Sequence, residues 1–498
     1  MICVSIGRTR HKMVVAEHRH LAEKGAQLIE LRLDWLGRMP DLRRLLKKKP
    51  TPVVVTCRRL QDKGRWKWTE EQRMSVLREA IVSGSVDYVD LEEDIAGKVP
   101  RFGDTKRIVS YHNFEETPLH IQDIYEDICT KDPDIVKIAT MANSPEDNVR
   151  MLELVARAEK PTIGFCMGDL GTMSRVLCGK FGSPFTYASF SSERKLAPGQ
   201  LSFKEMRHMY RFNHIAKDTK VFGVLGDPIG HSLSPLLHNA AFQHRKIDAV
   251  YVPMRVPENV FHESLEAFDR IGISGYSVTI PNKLEALEFA DDADEATTEI
   301  GAANTLVKRD DGSWFASNTD YDAAIETVQL LLDTQKDELQ RTIQNRQILI
   351  LGAGGVARAI GLAMIRLGGI VTITNRTTER AQLLATELEC QTVTWENRGS
   401  VFAEVVINCT PIGMHPEVNK TPFNEVWLRE SALVFDTIYN PENTLFIKNA
   451  RKRGCETISG LEMFVRQAAS QFEQFTGQEP PIDHLRDTLR FGISPGGK

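Results

Sequence analysis

The chain has 498 residues, of which 42% are hydrophobic and 26% charged, with a formal net charge of -5. That length predicts about three domains, each able to bury a core without disulfide or metal staples, and the balance is that of a globular protein rather than a disordered or fibrous one. The charge is spread along the chain, which argues against a nucleic-acid partner, and no apolar run approaches the roughly 20 residues of a membrane helix.

The first element is expected at once, as the strand ICVSIG over 2–7, so no signal or transit peptide is expected and the cytoplasm is the expected compartment, although a processed plastid form would read identically. Further candidate strands follow at 28–34, 52–58, 88–93, 107–112, 134–140, 161–167 and 185–190. Amphipathic stretches such as EEQRMSVLREAIVSG lie between them. Eight such units predict an α/β fold, a compact (β/α)8 barrel over residues 1–215, with a doubly wound open sheet as the structural alternative. The segment QLSFKEMRHMYR is expected to be helical, and 212–220 to be a linker. A second β-α series opens at VFGVLG, 221–226. It is expected to form a substrate lobe over 221–335, a polar connection from Thr334 to Arg346, and a Rossmann-type nucleotide lobe over 346–459. Return helices over 460–490 are assigned to the substrate lobe, and the helix GLEMFVRQAASQFEQF (460–475) is expected to return and pack between the two lobes. Eight cysteines are scattered in apolar runs such as ICVSI and INCTP with no CxxC pair, which reads as reduced core thiols and implies no metal.

In the first half, polar residues collect at the C-terminal ends of the candidate strands, where barrels carry their chemistry. Lys137 lies mid-strand between Val136 and Ile138. Burying an ammonium is costly and favours the neutral, nucleophilic amine; a lysine that snorkels out or pairs with a carboxylate is the plain alternative. His112 ends the preceding strand, within reach of the same substrate, and can shuttle a proton. A satisfied structural histidine is equally compatible with that position.

Taken in order, IELRLD, TCR, DLE, SYHNF, DIVKIA, MSRVLCGKFGSPFTYAS and LAPGQLS resemble the type I 3-dehydroquinate dehydratases across about residues 1–215. The resemblance implies that Lys137 forms a Schiff base with the substrate ketone and that His112 moves the proton released next to it. It further implies that Glu30, Arg32, Arg58, Arg175 and Gln200 hold the substrate's carboxylate and hydroxyls. Two positions depart from the family pattern. Asp62 stands where many members have a glutamate that supports the histidine, and Leu196 replaces a serine before APGQ. Altered substrate binding with retained activity is the expectation.

The second half carries GDPIGHSLSPLLHNAAF, where Ser234 followed by Pro235 reads as a helix N-cap. With Ser232 it offers two hydroxyls and a helix N-terminus to a small anion, capping alone being the plain alternative. SVTIPNKLEAL, GAANTLV and SNTDYDA contribute Lys283, Asn304 and Asp320, a lysine and an aspartate able to relay one proton to a ketone or to form a mere ion pair. In ILILGAGGVARAIG, Gly352, Gly354 and Ala357 fit the dinucleotide-binding turn G-x-G-x-x-G/A between a strand and a helix, with Ala353, Gly355 and Val356 inside it. The next strand ends in Asn375, Arg376 and Thr377, with Arg380 one turn on, where NAD-specific proteins carry an acid. Arginines there favour NADP, solvated residues at a helix start being the plain alternative.

These runs, together with NCTPIGM, DTIYNPENT and GLEMFVRQA, resemble shikimate dehydrogenase over about residues 221–490. The resemblance implies that Ser232, Ser234, Thr279, Asn304 and Gln467 bind substrate, with Tyr439 near its carboxylate, and that Lys283 and Asp320 are the catalytic pair. It implies that Thr410, Met414, Ile438 and Gly460 line the nicotinamide region. The whole chain therefore reads as a fusion acting on 3-dehydroquinate, 3-dehydroshikimate and shikimate with NADP. No metal, nucleic acid or membrane partner is expected, and the state is monomer or homodimer. Two other readings stay open: a class I aldolase-like barrel, or one half serving as a metabolite-sensing module without catalysis.

Overall fold

The computed structural model describes residues 1–335 and 338–494; Lys336 and Asp337, within the expected polar connection, fall outside them. The chain divides into two compact units. One comprises Met1–Gly223, Pro228–Gly230 and Asp248–Ile273; the other comprises Val224–Asp227, His231–Ile247 and Ser274–Lys498.

The first unit holds eight strands: β1 Ile2–Ile6, β2 Leu28–Arg32, β3 Val53–Thr56, β4 Tyr88–Glu92, β5 Lys106–Asn113, β6 Ile135–Met141, β7 Thr162–Met167 and β8 Thr186–Ser189. All neighbours are parallel, in the order β7-β6-β5-β4-β3-β2-β1-β8. This is a nearly closed barrel, and the open-sheet alternative does not hold. β1 is buried on both faces, as a parallel strand walled by helices must be. Inside the barrel, Cys3, Leu28, Val54, Ile108, Ile163 and Phe185 form an apolar plug, so the polar strand ends are left facing one rim. The segment expected as the helix QLSFKEMRHMYR is helical over 203–209, with Glu205–Met209 wound as a π-helix, and the linker region contains a 3-10 turn, Phe212–His214.

Strands β9 Lys220–Gly226, β10 Ala249–Arg255, β11 Ile273–Val278, β12 Asp292–Ala293, β13 Thr305–Lys308 and β14 Trp314–Ser317 form a six-stranded sheet in the order β10-β9-β11-β13-β14-β12. The β11–β13 and β13–β14 pairs are antiparallel. A third sheet, entirely parallel, has the order β17-β16-β15-β18-β19-β20. Its strands are β15 Gln347–Leu351, β16 Ile370–Thr374, β17 Gln391–Thr392, β18 Val405–Asn408, β19 Leu433–Asp436 and β20 Glu456–Ser459. The order reverses at β15, the switch point beside which open α/β sheets bind dinucleotides. Gly460–Thr476 is a 17-residue helix and Ile482–Ile493 follows it.

Candidate active sites

At the rim of the barrel a cavity of about 400 Å³ is lined by the C-terminal ends of the strands and by the loop carrying Leu196, Pro198 and Gln200. Glu30, Arg32, Arg58, Asp62, His112, Lys137, Arg175 and Gln200, all expected from the sequence, line this one cavity. Register explains the meeting of lysine and histidine: β5 and β6 pair Ser110 with Lys137 and His112 with Ala139, so the two functional residues sit two steps apart on adjacent strands.

Lys137 is not the lone buried amine that its sequence neighbours imply. Its Nζ lies 2.8 Å from Asp90 Oδ2 and 4.1 Å above the Tyr187 ring. It faces the cavity and has a carboxylate partner at the same time. Asp90 also accepts Arg58 (2.8 Å) and the Ser110 hydroxyl (2.6 Å). Burial opposes that charge, but Arg58 and Lys137 hold the Asp90 carboxyl well below the usual range. Burial, reinforced by the Arg58 and Lys137 cations, pushes His112 well below the usual histidine range, so its imidazole is neutral and able to accept a proton at neutral pH.

The three arginines differ in how far they are engaged. Arg58 reaches Asp90, Glu92 and Ser110; Arg32 makes a bidentate pair with Asp34 at 2.9 and 2.8 Å. Arg175 is 1% exposed, stacks over Phe165 and donates to the Pro198 carbonyl (2.9 Å). Its Nε has no partner among the described residues, and burial lowers its pKa to about 10. A buried guanidinium short of acceptors has donors that a carboxylate can satisfy. Glu30 accepts the Thr56 hydroxyl (2.8 Å), Gln200 Oε1 accepts the Leu196 N–H (2.9 Å), and Asp62 is held by Arg59 at 2.6 Å. Tyr187 and Ser5 line the cavity without having been singled out, while Asp90, which pairs with the lysine, is among the polar residues expected at the strand ends, though no role was assigned to it. Their alternation on β4, β8 and β1 was the available signal, since residues two apart share a face.

In the second unit Lys283 opens the helix Lys283–Phe289 and Asp320 lies in the first turn of Thr319–Asp333. Their side chains meet at 2.5 Å between Nζ and Oδ2. Asn304 accepts the Thr319 N–H (2.8 Å) through Oδ1, while its buried Nδ2 has no partner among the described residues. Ser234 is the first residue of the helix Ser234–Arg245 rather than its cap, a place taken by Leu233. The Ser232 hydroxyl accepts the Ser234 N–H at 3.2 Å, because the first N–H groups of a helix have no intrahelical acceptor. Thr279 N–H donates to the Leu225 carbonyl, which fixes the loop after β11. Tyr439 stacks on Phe464 at 4.6 Å, and Phe464 is three residues before Gln467 on the same helix. One turn further, Gln471 bonds Ser277, the Asn304 carbonyl and Thr305, an anchor the sequence reading did not include.

The turn after β15 fits a dinucleotide. Gly352 has φ +119, and a Cβ there would come within 3.0 Å of the Cys409 backbone. A Cβ on Gly354 would meet nothing within 4 Å, so the backbone before the helix Gly355–Arg366 stands open to a pyrophosphate. Ala357 is fully buried against the sheet, and Ala353 and Val356 pack on the same core. A Cβ on Gly355 would lie 3.9 Å from Lys283 Cδ, so Lys283 neighbours this turn. Arg376 and Arg380 are exposed after β16 and form no ion pair among the described residues; Asn375 bonds the Thr377 carbonyl (3.0 Å). Thr410 follows β18, Ile438 follows β19, Gly460 opens the final helix pair, and Met414 is exposed on the loop between β18 and β19.

A lysine-bearing barrel joined to a lysine–aspartate site beside a dinucleotide turn defines a carbonyl-processing enzyme with two centres, one lyase and one oxidoreductase. The Type I 3-dehydroquinase family matches residues 2–217 and the shikimate dehydrogenase substrate binding domain matches 224–306. An NADP oxidoreductase domain described as coenzyme F420-dependent matches 347–434, and the shikimate 5'-dehydrogenase C-terminal domain matches 460–490. A chloroplastic bifunctional 3-dehydroquinate dehydratase/shikimate dehydrogenase of Arabidopsis thaliana is 37% identical over 97% of this chain and 83% of its own. A shikimate dehydrogenase (NADP(+)) of Bacillus mycoides is 38% identical over 54% of this chain and 97% of its own. Among solved structures, a shikimate dehydrogenase in complex with NADP+ aligns with a TM-score of 0.51 at 33% identity, covering 56% of this chain and 97% of that one.

The chain belongs to the family of bifunctional 3-dehydroquinate dehydratase/shikimate dehydrogenases. It is a shikimate-pathway enzyme that dehydrates 3-dehydroquinate and reduces 3-dehydroshikimate with NADPH. The aldolase-like and sensor alternatives are not favoured.

Proposed function

We propose that Lys137 and Lys283 are the two working amines, one covalent and one proton-donating. In the barrel, Lys137 adds to the ketone of 3-dehydroquinate and loses water to give a Schiff base. The cationic nitrogen withdraws electrons, so the adjacent C–H becomes acidic and His112 takes its proton. The protonated His112 then assists departure of the hydroxyl as water, and hydrolysis frees Lys137. Arg175 receives the carboxylate, Glu30, Arg32, Arg58 and Gln200 hold the rest of the substrate, and Asp62 supports His112 from the cavity wall. What carries this reading is one cavity holding Lys137, a neutral His112 and the under-engaged Arg175.

In the second site, Ser232, Ser234, Thr279, Asn304, Gln467 and Tyr439 hold 3-dehydroshikimate. Lys283, steadied by Asp320, gives a proton to the carbonyl oxygen. NADPH, when bound, supplies the hydride for the carbonyl carbon. Gly352 to Ala357 would cradle its pyrophosphate, Asn375, Arg376, Thr377 and Arg380 its adenosine phosphate, and Thr410, Met414, Ile438 and Gly460 its nicotinamide.

The catalytic domains are proposed at 1–215, 221–335 with 460–490, and 346–459, which the extents of the family matches support. The chain is further proposed to act in the cytoplasm as a monomer or homodimer without nucleic-acid or membrane partners. Eight free thiols support a reducing compartment, and among the described residues no helix is long and apolar enough to cross a membrane. The test feeds 3-dehydroquinate and NADPH to Lys137→Ala and Lys283→Ala. The first variant is expected to reduce added 3-dehydroshikimate while forming none; the second is expected to accumulate it. A folded variant that loses both activities would refute the separation of roles.

A further inference from the structure

Asp436 ends β19 with its side chain fully buried, and its register partner on β18, Asn408, is equally buried. The carboxylate gathers donors from three segments. Oδ1 accepts the Asn408 amide at 2.9 Å and the Ile438 N–H at 3.2 Å; Oδ2 accepts the Thr444 hydroxyl at 2.6 Å. Asn408 passes the restraint on, because its own Oδ1 accepts both the N–H (2.9 Å) and the hydroxyl (2.7 Å) of Thr410. Thr444 caps the helix Leu445–Lys452, so the far end of the chain of bonds is fixed to a regular element. The Ile438 carbonyl in turn accepts the Gly460 N–H at 3.2 Å.

We infer that Asp436 is a positioning residue for the cofactor: its carboxylate clasps the two strand-end loops and holds Thr410 and Ile438 in the geometry that receives the nicotinamide half of NADP. The inference rests on the dehydrogenase reading above. Parallel strands leave their C-terminal loops without mutual hydrogen bonds, and ligands of open α/β sheets bind just beyond those ends. A group tying two such loops therefore sets the shape of the pocket floor. The cost of keeping a carboxylate there is visible, since burial raises its pKa to about 6 despite three donors. An apolar pair would close the sheet end without that cost, but would leave both loops unsecured.

The test measures NADP+ binding to the full chain by calorimetry, without turnover, beside the NADPH KM and kcat and the dehydratase rate. Asp436→Ala removes three acceptor contacts and is expected to weaken NADP+ binding at least about tenfold. The NADPH KM should rise with it, while the dehydratase rate stays at the wild-type value. Asp436→Asn keeps the shape and one acceptor oxygen and should stay within about threefold of wild type, as neutral bonds replace charge-assisted ones. Thr444→Val keeps the carboxylate and the volume and should weaken binding by about three- to tenfold; it decides the matter if the alanine variant does not fold. Folded Asp436→Ala or Thr444→Val chains with unchanged NADP+ affinity overturn the inference. A wild-type chain that binds no NADP+ would instead overturn the dehydrogenase reading beneath it.

Discussion

Arg376 and Arg380 show how much a single side chain decides. Both are exposed beyond β16 and have no acidic partner among the described residues. A doubly charged phosphate at that place gains charge-assisted hydrogen bonds, whereas an NAD ribose hydroxyl gains little from a cation. Replacing both with serine is expected to raise the NADPH KM by about 10–100-fold, the effect of losing roughly 1.5–3 kcal/mol, and to leave the NADH KM within about threefold because those bonds never formed. Steady-state rates with the two cofactors measure the ratio; an unchanged preference for NADPH would place the phosphate elsewhere. This feature was legible because it resides in a short contiguous motif. Lys283 and Asp320 were each legible within their own short motifs, SVTIPNK and NTDYDA, while their meeting is made by the fold. Asp90 beside Lys137, Asp436 beside Asn408 and Gln471 beside Asn304 were not, since each pairing is made by strand register or helix docking between distant stretches. A sequence pattern states which way a residue faces and not which neighbour it meets.

At the level of elements, the strands were readable because burial on both faces leaves uninterrupted apolar runs, as in β1 and β7. Helix ends were less so. Ser234 has the chemistry of a cap yet starts the helix, because Pro235 sits comfortably at either of the first two positions and does not fix the register. The π turn at Glu205–Met209 was equally hidden, since its residues are ordinary helix formers. Gly460 gives the element scale its prediction. It joins β20 to the final long helix, and a Cβ there would approach the Thr437 carbonyl oxygen to 2.0 Å. Backbone cannot yield to that contact, so Gly460→Ala must displace the helix start or the loop bearing Ile438. An overpacked site of this kind costs about 1–3 kcal/mol. NADP+ affinity measured by calorimetry is therefore expected to fall by about tenfold or more, with dehydratase activity intact. A variant that binds NADP+ as tightly as wild type would show that the helix start does not shape the pocket.

On the scale of the whole molecule, the two units carry unequal acid responses. In the first, burial lowers His18 to about 4 and puts His112 well below the ordinary histidine range, while Asp90 is held low by Arg58 and Lys137 against the effect of burial. The unfolded chain protonates its histidines near pH 6.5 and its aspartates near 3.8, before these folded groups do. It therefore binds more protons than the native state as pH falls through those values, and the unit loses stability on acidification. In the second unit burial lowers His238 to about 3, which acts in the same direction. Burial also raises Asp436 to about 6 and moves Asp322 upward. Those two carboxyls take up protons in the folded state before the unfolded chain does, so acid between about pH 6 and 4 stabilises the native form and offsets the histidine. Samples heated at pH 7 and at pH 4.5 and then assayed at neutral pH should show the dehydratase midpoint falling further than the dehydrogenase midpoint. Equal shifts, or an earlier loss of the dehydrogenase, would mean that these buried groups do not govern the acid limb. The expected order follows from where each unit keeps its buried charge: the barrel pairs its lysine with Asp90, a carboxylate held ionised by Arg58 and Lys137, whereas the dinucleotide sheet buries an acid that protonation relieves.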